Sequence, residues 1–176
     1  LGDVYKRQKK IHKKGIPIAV IAVASTIVIV TVAFFIPKNN GSFNLRSMTA
    51  YFQVRTFLRS VISGEYEKAF EYVYYYDENP ENGSEKTYDE AKKIWCDRLL
   101  SAKENCFSEF LAEYKNLDVF LRDGEIIATF DATVYVRGID KQYNTQIKFY
   151  NDKIAGISCE QVLTDFEKTI SGNLGI

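Results

Sequence analysis

The side chains best suited to acid–base chemistry lie between Glu125 and Arg137. Asp131 could act as a general base and Tyr135 as a hydroxyl donor to an oxyanion, the groups that an isomerase-type site needs inside an apolar pocket. The stretch alternates between apolar and polar residues, which predicts a strand with one buried side. Asp131 and Tyr135 fall on the polar side, where we expect them to face solvent. The pattern therefore predicts no catalytic residues.

Other reactive residue types are scarce. The one histidine, His12, lies near the N-terminus, which excludes histidine-based catalysis or metal ligation in the main domain. The three cysteines, Cys96, Cys106 and Cys159, are too few and too scattered for a disulfide scaffold or a C-x-x-C metal site. We expect them to be small buried hydrophobes. One disulfide involving Cys159 is the alternative in an oxidising compartment. We predict no metal and no cofactor.

The charge distribution argues against nucleic acid as a partner. Residues 1–14 contain six of the 23 Lys and Arg and one of the 23 Asp and Glu, so the rest of the chain has a net charge of −5. Binding to phosphate backbones requires clustered basic residues. The acidic main domain lacks such a stripe.

Residues 16–36 form an apolar segment without a charged residue. A helix of this length spans about 31 Å, which matches the hydrocarbon core of a bilayer. We therefore predict a transmembrane helix, since a domain this small cannot enclose such a helix on every side. A cleaved signal peptide is the alternative, because Ala22-Val23-Ala24 has the small-x-small form of a cleavage site.

The flanking charges predict the orientation of this helix. Residues 1–15 are a basic tail, whereas the linker at 37–46 has only two basic residues. The positive-inside rule therefore places the tail in the cytoplasm and the C-terminal domain outside it, so the expected localisation is the cell membrane. Residues 3–8, DVYKRQ, resemble the translation of a sequencing adapter. We interpret them as an artefact, give them no weight, and infer a microbial source.

After the linker, apolar spacing predicts three helices and then an antiparallel meander of four strands. Thr87 and Glu90 form a predicted capping box for the third helix. Turn residues occur at Asp123-Gly124, at 138–140 and at Asn151-Asp152. The predicted helices are 47–62, 65–74 and 88–114, and the predicted strands are 117–121, 125–137, 142–150 and 153–159. Residues 161–176 are expected to be a C-terminal tail.

This order predicts an α+β domain over residues 47–160, with the helices on one face of a curved sheet. The segment 57–73, FLRSVISGEYEKAFEYV, resembles the opening helices of the nuclear-transport-factor-two-like superfamily, also called the cystatin-like cone fold. The resemblance implies a cone of helices against the sheet with a pocket between them. The candidate pocket-lining residues are Tyr66, Phe70, Trp95, Phe130 and Val134.

The superfamily includes isomerases, accessory domains of cell-wall enzymes, and membrane-anchored assembly factors of secretion and conjugation machines. The last group resembles this chain in layout: a short tail, one span and one outer domain. We therefore expect a non-catalytic interaction module of the bacterial cell envelope, which binds another envelope protein or a small apolar ligand. An isomerase-type cone enzyme acting on a small apolar ligand is the alternative. Besides this partner, the expected contact is the lipid bilayer.

Overall fold

A computed structural model of the chain describes residues 45–160 and 164–176. The predicted transmembrane helix at 16–36 and the basic tail lie outside this range. No helix within the range is long and apolar enough to cross a membrane. The described elements, in chain order, are α1 (Leu45–Ser63), α2 (Tyr66–Phe70), α3 (Tyr88–Glu104), β1 (Phe110–Arg122), β2 (Glu125–Val136), β3 (Ile139–Tyr150), β4 (Lys153–Cys159) and α4 (Asp165–Ile170).

The four strands form one antiparallel sheet in the order β1-β2-β3-β4. Each hairpin turns on two residues with positive φ: Asp123-Gly124, Arg137-Gly138 and Asn151-Asp152. Two-residue turns with positive φ follow the right-handed twist of the strands they join. The first and third turns confirm the prediction, and the second lies one residue earlier than predicted. The α+β class with an antiparallel meander is confirmed.

The core lies between the helices and one face of the sheet. The even-numbered residues of β2 from Ala128 to Val136 are buried, as its alternation predicted. Opposite them, α1 buries residues spaced three and four apart, the rhythm of an amphipathic helix. These residues are Ala50, Val54, Phe57, Leu58 and Val61.

Helix α3 begins as predicted and ends ten residues early. The Thr87 side chain accepts a hydrogen bond from the Glu90 amide, and the Glu90 carboxylate accepts one from the Thr87 amide. The helix ends at Glu104, and β1 starts at Phe110, so the prediction of a helix to residue 114 and a strand from 117 was wrong. Apolar residues four apart in this stretch fit one side of a strand as well as one side of a helix, and pairing with β2 decides for the strand.

Helix α2 is also shorter than predicted. It ends at Phe70 instead of residue 74, and the run of tyrosines after it is extended. Val73 pairs in parallel with Ile154, and Tyr76 pairs in parallel with Asn173. Aromatic and β-branched residues favour extended structure where a strand edge is available for pairing. Here the edge belongs to β4 and to the C-terminal segment.

The expected C-terminal tail contributes a helix and core residues. Helix α4 has its own capping box, formed by Thr164 and Glu167. Phe166, Ile170 and Leu174 belong to the hydrophobic core. The folded domain therefore extends beyond residue 160 to the last residues of the chain.

Helix α3 holds the C-terminal segment through main-chain carbonyls. Trp95 Nε1 donates to the Ile170 oxygen at 3.4 Å, and Arg98 donates to the oxygens of Asn173, at 2.7 Å, and Ser171. Burial lowers the pKa of the Arg98 guanidinium to about 10. The segment 171–174 is thus fixed between α3 and the residues before Asp77.

Candidate functional site

The five predicted pocket-lining residues are all core residues. The structure brings Phe70 and Trp95 together, with ring centroids 5.7 Å apart, whereas Tyr66 packs edge-on against Phe110. The Tyr66 hydroxyl is buried and has no hydrogen-bond partner among the described residues, and this burial raises its pKa. Phe130 and Val134 lie on β2 and are fully buried. The two clefts described below have other linings.

Asp131 and Tyr135 lie on the outer face of the sheet, away from the helices. Asp131 Oδ2 accepts a hydrogen bond from Asn116 Nδ2 at 2.6 Å, and the Tyr135 side chain is half exposed. Neither residue approaches the apolar interior. The placement of these two residues agrees with the alternation seen in the sequence.

A buried carboxylate, Glu109, lies at the inner end of the sheet beside α4. Its Oε1 accepts hydrogen bonds from Lys141 Nζ at 2.6 Å and Tyr143 Oη at 2.8 Å. Its Oε2 accepts one from the Phe166 amide at 3.2 Å. Both carboxylate oxygens are therefore engaged, and they join the residue before β1 to β3 and α4.

The partners of Glu109 control its ionisation. Burial alone would raise the pKa of this carboxyl, but the hydrogen bonds from Lys141, Tyr143 and the Phe166 amide, with the charge of Lys141, outweigh burial and lower it. The same contacts raise the pKa of Lys141, and burial together with the Glu109 contact raises that of Tyr143. The cluster is thus a stable ion pair that fixes α4, and its carboxylate is poorly suited to accept a proton near neutral pH.

The sequence contained a signal for this cluster. Lys141, Tyr143 and Thr145 alternate along β3, and Thr145 pairs with Phe130, so all three lie on the inner face. Glu109 could not be placed, because its segment was predicted to be helical. The sequence analysis considered only the inner face of β2, which is apolar, and therefore missed the ionisable groups contributed by β3 and by Glu109, the residue before β1.

The three cysteines have different environments, and none is in a disulfide. Cys96 and Cys159 are half-buried, and burial raises the pKa of both thiols, to about 11 for Cys96. Cys106 is exposed in the turn before β1, so its prediction as a buried hydrophobe was wrong. This turn connects the end of α3 at Glu104 to the start of β1 at Phe110, in a stretch that was predicted to be helical.

The two hairpins diverge at the end of the sheet where α1 begins. The β2–β3 ladder ends at Ala128–Ile147, although β2 begins three residues earlier and β3 continues three residues further. In this register Ile126 and Phe149 would form the next pair on the same face as Ala128 and Ile147, but Ile126 pairs only with β1 and Phe149 only with β4. We call the resulting gap the fork cleft, and its volume is about 430 Å³.

The fork cleft continues under the first turns of α1 into a second space of about 350 Å³, which we call the apolar chamber. Arg46 and Asp152 line both spaces. Arg46 Nη2 lies 3.1 Å from Asp152 Oδ1, and Nη1 donates to the Gly124 oxygen at 3.4 Å, so Arg46 bridges the two hairpin tips. The chamber is lined chiefly by Leu45, Thr49, Ala50, Gln53, Ile126 and Phe149.

An exposed apolar patch surrounds the β2–β3 turn, at the other end of the sheet. Phe107, Tyr135 and Ile139 are 62%, 50% and 64% exposed. The Arg137 guanidinium lies 5.0 Å from the centre of the Phe107 ring, and the Arg137 amide donates to the Cys106 oxygen at 2.8 Å. The turn and the segment before β1 therefore form one surface, which we call the turn patch.

Within residues 45–160 and 164–176, no group of three or more His, Cys, Asp or Glu side chains is arranged to hold a metal ion. Comparisons of the chain with protein-family models, with curated proteins and with solved structures find no match. The function is therefore argued from the sequence and from the geometry of the domain.

Proposed function

We propose that this chain is a membrane-anchored, non-catalytic interaction module of the bacterial cell envelope, with a cone domain of the nuclear-transport-factor-two-like type outside the cytoplasm. The uncharged apolar segment at 16–36 and the basic residues before it support the anchor and its orientation. The order of three helices before a meander, with one core formed by helices and sheet, supports the cone. Register shifts in β1 and between β3 and β4 support a bent sheet.

The observation that carries the proposal is the filling of the domain interior by its own C-terminus. The Phe166 ring stacks on Tyr143, with centroids 6.2 Å apart and planes within 13°. Ile170 lies under α3, where its carbonyl oxygen accepts the hydrogen bond from Trp95. A small ligand entering between α3 and the sheet would have to displace these residues. This favours a protein partner that binds at the surface.

The turn patch is the surface that we propose for this partner. Exposed large apolar side chains that cluster on a soluble domain often mark protein interaction sites. Its stacked arginine and its tyrosine belong to the residue types enriched at interfaces. The partner would be another envelope protein, in the most specific form a component of a secretion, conjugation or cell-wall assembly.

The isomerase alternative would use Glu109 and Tyr143, the acid and phenol on the inner face. Their contacts favour the structural role, because Glu109 is already paired with Lys141 and its lowered pKa keeps it ionised. An isomerase base needs a free oxygen directed at substrate and a pKa closer to the working pH. We therefore retain the interaction module as the conclusion.

The exposed thiol of Cys106 provides a topology test. In spheroplasts, a membrane-impermeant maleimide should label the wild-type chain, and Cys106→Ser should abolish the labelling, because the Cys96 and Cys159 thiols are half-buried with raised pKa values. In the Cys106→Ser background, His12→Cys should react only after permeabilisation. Labelling of Cys106 that requires lysis would reverse the orientation. A released product beginning at Ser25 would support the cleaved signal peptide.

Site-specific photo-crosslinking tests the turn patch in cells. A photoreactive phenylalanine at Ile139 should give one discrete adduct with another envelope protein. The same residue at Lys93, which is exposed on α3, should not give this adduct and is the matched control. An identical adduct pattern at both positions, or none at Ile139, would refute the patch as the contact surface.

A further inference from the structure

The two outer edges of the sheet differ in how they are covered. On β4, Ile154 accepts a main-chain hydrogen bond from Tyr74 and donates one to Tyr72, and the Gly172 amide donates to the Ala155 oxygen. On β1, no other segment among the described residues pairs with the outer edge. An uncovered edge presents main-chain donors and acceptors to which another strand can add.

The second half of this edge is the part that is regular enough to pair. Register shifts interrupt β1 at 111–113 and at 115–118, whereas the strand from Asp118 to Arg122 pairs with β2 without a break. Bulges protect natural edge strands from further pairing, and this stretch has none. It also carries Leu121, which is 41% exposed.

The β1–β2 turn determines which main-chain groups face the open edge. Both residues of this two-residue turn have positive φ, so the flanking residues, Arg122 and Glu125, form a hydrogen-bonded pair. Hydrogen-bonded and non-hydrogen-bonded pairs alternate along an antiparallel ladder. The N–H and C=O groups of Phe120 therefore point to β2 as well. Those of Val119 and Leu121 point away from β2, to the open edge.

We propose that a second copy of this chain adds to this edge, with the two β1 strands antiparallel and Phe120 on the two-fold axis. This register places Leu121 of each copy opposite Val119 of the other, so the outward N–H and C=O groups of both residues form hydrogen bonds. It places Asp118 of each copy opposite Arg122 of the other. The contact is isologous, as a two-fold axis requires.

Charge complementarity selects this register and this partner. The Arg122 guanidinium lies 5.6 Å from the centre of the Phe120 ring, so the two side chains share one face of β1. Opposite charges directly across an antiparallel pair stabilise it. In the neighbouring registers that keep the hydrogen bonds, Arg122 would lie opposite Asn116 or Phe120 instead of Asp118. The segment is thus complementary to itself, which favours a second copy over an unrelated strand.

This contact goes beyond the proposed function and does not depend on it. The turn patch lies at the β2–β3 turn, whereas the paired part of β1 ends at the β1–β2 turn, at the other end of the sheet. The dimer would contain a continuous sheet of eight strands, four from each copy, and both turn patches would stay open. Five residues of each copy make a small contact, so we expect reversible association.

Disulfide trapping of the purified full chain in detergent micelles tests the proposal. Cys106→Ser first removes the exposed thiol. Diamide then takes up two electrons and two protons from a pair of thiols, and a non-reducing gel measures the disulfide-linked dimer. Phe120→Cys should form this dimer at least about tenfold faster than Leu121→Cys, because residues directly opposite lie within disulfide range and the two Leu121 positions are diagonal, about 7–8 Å apart.

Leu121→Cys is the matched control. Leu121 is 41% exposed and Phe120 is half-buried, so random collisions would favour Leu121→Cys. If Phe120→Cys does not fold by circular dichroism, a mixture of Asp118→Cys and Arg122→Cys chains replaces it, and the mixed dimer should form faster than either homodimer.

Charge variants in the Phe120→Cys chain test the register. Arg122→Asp places two carboxylates opposite each other and should slow trapping at least about threefold, since like charges across a pair are destabilising. Asp118→Arg together with Arg122→Asp exchanges the charges and should restore the rate. Lys93→Asp, on the exposed side of α3, makes the same change in net charge and should leave the rate unchanged.

Several outcomes would overturn the proposal. Equal rates for Phe120→Cys and Leu121→Cys, a faster Leu121→Cys, or no dimer at all would refute the pairing. A double charge variant that folds but does not recover would refute the register. If Phe120→Cys stays monomeric and does not react with maleimide, another part of the chain covers the edge, and the proposal is wrong. The photo-crosslink at Ile139 would still decide the proposed function separately.

Discussion

Substitution of Gly172 by alanine should destabilise the domain, because the C-terminal segment leaves no space for a methyl group. A Cβ at this position would lie 1.9 Å from the Tyr74 oxygen and 3.2 Å from the Ala155 oxygen, both main-chain atoms. Reaching the 3.4 Å of ordinary contact with Tyr74 requires a shift of about 1.5 Å. That shift would break the 2.9 Å hydrogen bond from the Gly172 amide to Ala155 and the 3.0 Å bond from Tyr76 to Gly172.

The expected cost combines overpacking, about 1 to 3 kcal/mol, with the loss of hydrogen bonds worth about 1 kcal/mol each. A glycine-to-alanine change also stabilises by about 0.4 to 1 kcal/mol through the unfolded chain. The net loss in the free energy of unfolding should therefore be about 3 kcal/mol. Urea denaturation of a fragment beginning at Asn44, followed by circular dichroism, measures it.

Gly156→Ala is the matched control. Its Cβ would meet Ser171 at 3.6 Å, an ordinary contact, so this variant should be neutral or slightly stabilising. It lies on β4 beside the same C-terminal segment and shares the effect on the unfolded chain. Equal urea midpoints for the two variants would show that the C-terminal segment is not packed as described, and the reasoning would fail.

The fragment beginning at Asn44 should be soluble and give the circular dichroism of mixed helix and strand, since its core is complete without the segment at 16–36. Phe130→Ala should lower the free energy of unfolding by about 3 to 5 kcal/mol, and Asp131→Asn by no more than about 0.5 kcal/mol, as urea midpoints would measure. The folded state lowers the pKa of Glu109 below its ordinary value of 4.5, so its contribution is fully present above that pH and is lost as pH falls through the lower folded value. Glu109→Gln should remove this part of the acid dependence, in urea midpoints between about pH 3 and 6.

The sheet was largely predictable from the sequence, because its signals are local. Alternation in β2 placed Phe130 inside and Asp131 outside, and β4 has the predicted bounds. The turn residues at two of the three hairpins were recognised because positive φ restricts the residue types that fit. The capping box at Thr87 placed the start of α3 for the same reason.

The segments whose secondary structure was predicted wrongly are those whose conformation depends on pairing with distant strands. Cys106, Phe110 and Tyr114 recur every four residues, a spacing that fits one face of a helix and also one side of a strand. Only pairing with β2 distinguishes the two, and no local signal carries that information. The extended conformation of residues 72–76 likewise depends on Ile154 and Asn173, about eighty residues or more away.

The candidate site was harder to predict than the fold. The five pocket candidates are all buried, but an inward position does not distinguish a pocket lining from a packed core. The fork cleft exists because the β2–β3 ladder ends before the two strands do. No residue type in the sequence predicts where that ladder ends. The sequence of helix α4 did contain a local signal, since Thr164 and Glu167 have the capping-box spacing. The helix was not predicted because it has only six residues.

The packing of the last residues has a consequence for how the protein is made. Synthesis proceeds from the N-terminus, so Phe166, Ile170 and Leu174 are the last residues of this core to become available. Until they arrive, α3 and the sheet lack the residues that cover them, and the carbonyl partners of Trp95 and Arg98 are missing. The domain can complete its core only after residue 174 has emerged, so a nascent chain that has not reached this residue exposes apolar surface to proteases and chaperones. A chain that stops before Phe166 should therefore fail to complete this core.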